Sequence, residues 1–86
     1  RDIISKKKNE IEVIIFFIDE AEVEIEIQDF ETDKVIGSLK SKSKIGLNSY
    51  LVRSKNFKKD KQYGVQINYK NKNNSGSFSN SVTTKY

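Results

Sequence analysis

From Tyr63 to Tyr69 the chain alternates without a break, with Gly64, Gln66 and Asn68 separating Tyr63, Val65, Ile67 and Tyr69. Successive side chains of a strand point to opposite faces of a sheet, so this period of two predicts a strand with one dry and one wet side. The pattern recurs at residues 22–28, where Val23, Ile25 and Ile27 point in and Glu22, Glu24 and Glu26 point out. Residues 10–18 (EIEVIIFFI) begin by alternating and then become continuously apolar. Their β-branched and aromatic content suits a buried strand better than a helix. No window carries helical periodicity, and the chain reads as all-β.

The remaining punctuation fits that class. Residues 1–8 form an N-terminal arm or edge strand whose only apolar residues are Ile3 and Ile4. Asp19, Glu20 and Ala21 make a turn, and residues 29–34 (DFETDK) make another, with Asp33 suited to a bend. A shorter strand over 34–39 is interrupted by Gly37. Residues 40–48 read as a Ser/Lys loop long enough to cross between sheets, and residues 49–54 as a strand around Tyr50 and Val52. A last short strand covers 79–84. The 86 residues are read as one domain with a single small core and about seven strands. With no Cys and no His, disulfides and nearly all zinc, iron or copper sites are excluded, so no cofactor or metal is expected. No apolar run is long enough to span a bilayer.

The net charge of +4 hides a strong polarity. Residues 9–33 hold ten carboxylates and no cation, whereas from Lys34 onward eleven Lys and Arg53 face only Asp60. In a sandwich early and late strands lie side by side, so glutamates on one strand are expected to face lysines on the next. Lys40, Lys42, Lys44, Lys55, Lys58, Lys59 and Lys61 supply charge without Arg forks or interleaved stacking aromatics. That composition predicts weak polyanion attraction at most and no specific nucleic-acid partner. Asp19, Glu20, Glu22 and Glu24 lack the spacing of a calcium loop and read as a solvated strand face.

Phe57 lies six positions before Tyr63, and a polar loop then leads to the Ser/Val/Thr-rich closing strand. This segment resembles the end of a fibronectin type III domain, a member of the immunoglobulin-like antiparallel β-sandwiches. The family pattern Leu-x-Pro-x-x-x-Tyr is matched by Phe57 and Tyr63, with Lys59 in place of Pro. The resemblance implies a tyrosine corner in which the Tyr63 ring packs beneath the chain and its hydroxyl bonds nearby backbone. It covers the C-terminal third well and the rest by strand order. The family's second-strand Trp is absent, and Phe16 or Phe17 is expected to take its volume. No Pro is present.

The resemblance implies a non-catalytic module that spaces domains and contacts other proteins, in an extracellular, cell-surface or virion setting. A self-assembling subunit that uses strand donation, or a glycan- or polyanion-binding module, are the alternatives. Three features are candidates for contact. With Ile11, Val13, Ile15 and Phe17 facing the core, Ile14, Phe16 and Ile18 form an outward apolar stripe, expected to meet protein. The loop Asn71, Lys72, Asn73, Asn74, Ser75 and Gly76 occupies a position where the family often places binding motifs. Tyr50, Tyr69 and Tyr86 are the aromatics that a sugar-binding face would draw on. No arrangement expected of a nucleophile, general base or phosphate loop is present, and no enzymatic activity is expected.

Overall fold

The computed structural model describes residues 2–85, which contain seven strands and no helix. They are β1 (Asp2–Lys7), β2 (Glu10–Phe17), β3 (Glu22–Asp29), β4 (Val35–Lys42), β5 (Gly46–Arg53), β6 (Gln62–Lys70) and β7 (Ser75–Thr83). Two antiparallel sheets, β1-β2-β5 and β4-β3-β6-β7, pack as a sandwich. The apolar rows meet between them: Ile11, Val13, Ile15 and Phe17 of β2, Val23, Ile25 and Ile27 of β3, and Tyr63, Val65 and Ile67 of β6 are all buried. Tyr50 and Val52 of β5, Val82 of β7 and Phe57 close this core. Of the two adjacent phenylalanines, Phe17 enters the core, where it meets Tyr69 edge-on at 6.1 Å between ring centroids, while Phe16 points to solvent.

Register accounts for the charge polarity. β3 pairs with both β4 and β6, placing Glu22 opposite Lys42 and Lys70, and Glu24 opposite Lys40. The Lys40–Glu24 ion pair measures 3.5 Å. Exposed pairs of this kind contribute about 0.2–1 kcal/mol each; their larger effect is to fix which strand lies beside β3.

Two elements depart from the sequence reading. The stretch 40–48 is not a long crossing loop. β4 continues to Lys42 and β5 starts at Gly46, so only Ser43, Lys44 and Ile45 connect the sheets. The inward row of β4 is Gly37, Leu39 and Ser41, too small and polar to show an apolar period. The strand is instead held by its ladder to β3 and by the facing Glu–Lys pairs. A Cβ at Gly37 would sit 3.1 Å from the Phe57 ring and 3.2 Å from Val52, so a larger residue there would make those side chains give way. The closing strand begins at Ser75 rather than 79, so Ser75 and Gly76 belong to β7, paired with Lys70 and Tyr69. The turns use left-handed backbone at Asn9, Asp33 and Asp60, residue types that tolerate it.

Candidate contact surface

β2 and β5 pair over eight residues without a register shift, so inward and outward rows keep their parity along the whole ladder. The core takes Ile11, Val13, Ile15 and Phe17, which leaves Ile14 and Phe16 on the outer face, with Ile18 just beyond the strand end. Ile14 is half-buried, whereas Phe16 is 61% and Ile18 78% exposed. Register places Leu47 of β5 directly opposite Phe16, and Leu47 is 74% exposed. Ile45, 69% exposed, precedes it. The stripe is therefore wider than the β2 residues alone. Leu47 and Ile45 do not stand out in the sequence because 40–48 reads as a Ser/Lys loop; with β5 starting at Gly46, parity puts Leu47 outward.

The outer face is divided along its length. Toward the start of β2 it is mixed: Leu51, 39% exposed, lies opposite Glu12, beside Arg53 Nε 3.1 Å from Glu10 Oε2 and Ser49 donating to Glu12 at 2.5 Å. Toward the end of β2 it is apolar. There Ile15, Phe16, Phe17, Ile18, Tyr69 and Phe78 line a groove of about 400 Å³ that also reaches Asn71 and Asn74. The β2 residues that line the groove lie beyond the β1–β2 pairs, which among the described residues run from Ile14 to Glu10. The groove brings the stripe end together with the candidate loop.

That loop is largely occupied with itself. Asn71 Oδ1 accepts from the backbone N–H of Asn73 (2.9 Å) and Asn74 (2.7 Å), and the Asn71 N–H donates to the Asn74 carbonyl at 2.8 Å. Lys72, Asn73 and Asn74 are exposed around this turn. A neighbouring open depression of about 810 Å³ mixes Asp19, Glu20 and Glu22 with Lys42, Lys70 and Lys72. Among the described residues, no group of three or more carboxylates is arranged to hold a metal ion.

The proposed corner residues lie at the opposite end. Tyr63 is fully buried, its ring 5.5 Å from that of Phe57. Its hydroxyl accepts from the Lys58 N–H at 2.7 Å and makes a longer contact of 3.5 Å to the Asn56 carbonyl. Buried Thr84 ties the same bend. It accepts from the Lys61 N–H at 3.1 Å, its hydroxyl donates to the Lys58 carbonyl, and its own N–H bonds Lys61 O at 2.9 Å. Lys61 Nζ reaches Asp29 at 2.9 Å. This bond holds the Asp29 carboxyl below its ordinary value and raises the Lys61 ammonium above its own. Of the tyrosines considered for sugar binding, Tyr50 is buried with its hydroxyl donating to Lys42 O at 3.2 Å, and that burial raises its pKa. Tyr69 is half-buried between Phe17 and Phe78, and Tyr86 lies outside the described residues.

No protein-family model matches the chain, and no curated protein or solved structure gives a significant match.

Proposed function

We propose that the chain is a non-catalytic β-sandwich module, fibronectin type III-like, that acts as a spacer and makes protein–protein contact through the outer face of β1-β2-β5. The observation that carries this is the exposed apolar pair Phe16 and Leu47, directly opposite each other on the β2–β5 ladder, with Ile18 and Ile45 exposed just beyond the strand ends. Exposed apolar side chains that adjoin on one face support a contact role. The type III reading within the immunoglobulin-like class is supported by two observations. The fourth strand joins β3 rather than the β1-β2-β5 sheet, unlike the immunoglobulin constant arrangement, and Tyr63 bonds backbone five residues upstream.

A rigid sheet face can pack on a second copy of itself, with the apolar rows meeting across a two-fold axis. Four side chains are far fewer than the roughly 20–30 residues a side of a standard interface, so any self-association is expected to be weak, in the micromolar range or above. Sedimentation velocity over a wide concentration range tests this. Association that disappears in Phe16→Lys, with the circular dichroism spectrum unchanged, is expected. A monomer at every concentration in both chains would remove self-association through this face.

A second reading, strand donation, is favoured by β7. It is an edge strand of nine residues with an unbroken register and no charged side chain, so it lacks the usual guards against pairing. A partner strand adding there would leave Phe16→Lys without effect and would be blocked by a proline in β7.

A further inference from the structure

The outer face of the other sheet has a distinct chemistry. One residue in three of this chain is charged, yet the outward row of β7 is Ser75, Ser77, Ser79, Ser81 and Thr83. The adjoining row of β6 is Gln62, Gly64, Gln66 and Asn68 before Lys70 is reached. These side chains are tied to one another within the plane of the face. Ser79 Oγ donates to Gln66 Oε1 at 2.5 Å, Gln66 Nε2 donates to Asn68 Oδ1 at 3.2 Å, and Gln62 Nε2 donates to Ser81 Oγ at 3.3 Å. Each amide in such a chain keeps further donor or acceptor capacity for a ligand.

An aromatic ring lies against this array. Gln28 stands opposite Gly64, and Phe30, two residues on, falls on the same outer side. Its ring edge approaches to 3.3 Å of where Gly64 would carry a Cβ, so the glycine makes room for the ring. Covering a strand glycine is a structural role in itself, but it leaves Phe30 56% exposed. Beside the ring is a shallow depression of about 350 Å³ bounded by Gln28, Phe30, Gly64, Gln66, Ser79 and Ser81.

We propose that this depression binds a neutral oligosaccharide, with Phe30 stacking on a sugar ring and Gln66, Ser79 and Ser81 bonding its hydroxyls. A pyranose presents an apolar C–H face beside a rim of hydroxyls that both donate and accept. The site offers the matching pair: an aromatic surface and a set of uncharged amides and hydroxyls held by their neighbours. None of the residues bounding the depression is ionisable; Glu26, opposite Gln66 in the register, flanks it on β3, and the nearby cation Lys61 is engaged by Asp29. Rigid placement of the polar groups lowers the ordering that binding would otherwise require. The site lies on the opposite sheet from the apolar cluster, so the two readings stand or fall separately.

The test is a titration of the ¹⁵N-labelled protein with cellohexaose, xylohexaose and mannohexaose, following backbone and side-chain amide signals. At least one of these should shift Gly64, Ser79, Ser81 and the Gln66 and Asn68 side-chain amides, with an affinity indifferent to salt. Phe30→Leu keeps an apolar cover on Gly64 but removes the aromatic surface, and should weaken binding about tenfold. Gln66→Ala, at a half-exposed position, should weaken it without unfolding the chain. No shift with any of the three sugars would overturn the proposal. So would binding that Phe30→Leu and Gln66→Ala leave intact, or binding only to a heparin hexasaccharide that disappears as salt rises.

Discussion

Replacing Tyr63 by Phe removes one oxygen atom from the centre of the corner and leaves the ring where it is. The ring is fully buried and stays in contact with Phe57, so no cavity opens. What is lost is the 2.7 Å bond from the Lys58 N–H and the weaker contact to Asn56 O. A hydrogen bond whose partner can turn to water contributes about 0.5–1.5 kcal/mol net, and one whose partner stays stranded costs about 1–3 kcal/mol. The Lys58 side chain is exposed but this bond is partly buried, so about 1–2 kcal/mol is expected. In a domain of this length each kcal/mol moves Tm by about 4–8 °C. Urea unfolding followed by far-ultraviolet circular dichroism should show a lower midpoint with an unchanged slope. Tyr63→Ala, which also empties the ring's volume, should cost about 3–5 kcal/mol. A Tyr63→Phe variant as stable as the parent would show that Thr84 and the loop backbone fix the corner without the hydroxyl. A loss as large as that of Tyr63→Ala would show that the ring does not hold its place without the bond.

Other substitutions probe separate parts of the account. Ser43 is buried, and its hydroxyl accepts from the Ala21 N–H at 3.0 Å; Ser43→Ala strands that donor and should lower stability by about 1–3 kcal/mol in urea titrations. Gly76→Ala would put a Cβ 2.5 Å from the Tyr69 hydroxyl and 2.7 Å from the ring carbon that bears it, and should cost about 1–3 kcal/mol, less in a Tyr69→Ala background that removes the ring. Asp29 ionises below its ordinary 3.8 when folded, so its contribution is present above that value and lost as pH falls through the lowered one. Lys61, raised above 10.5, contributes below that value and loses its contribution as pH rises through the raised one. The stability difference between the parent and Lys61→Met should therefore hold across neutral pH and shrink at both extremes; a difference unchanged in acid would separate the pair from stability.

The rows that build the core were readable because they are large, apolar and strictly alternate. Val23, Ile25, Ile27, Tyr63, Val65 and Ile67 all lie where the period of two places them. β4 reads short, as 34–39, and the first half of β7 is not readable, because their inward positions include Gly37, Ser41 and Gly76. Such strands are held by backbone ladders and neighbouring side chains, information that resides in other segments. The same limit hid half of the apolar cluster: Leu47 becomes conspicuous only when paired with Phe16. Thr84 carries no local signal for the hydrogen bonds it makes, and Phe30 reads as part of a polar turn, where only register sets it over Gly64.

The central claim is that Phe16, Ile18, Ile45 and Leu47 form a face on which a second copy of the chain packs, and methyl resonances report on it directly. In an isoleucine- and leucine-labelled sample diluted stepwise, the methyls of Ile18, Ile45 and Leu47 should shift with concentration. Those of Ile11, Ile25 and Ile67, buried in the core, should stay fixed and serve as internal controls. Movement of the three exposed methyls that vanishes in Phe16→Lys is the predicted result. Methyls that hold still at every concentration, or amide shifts confined to β7, would contradict it.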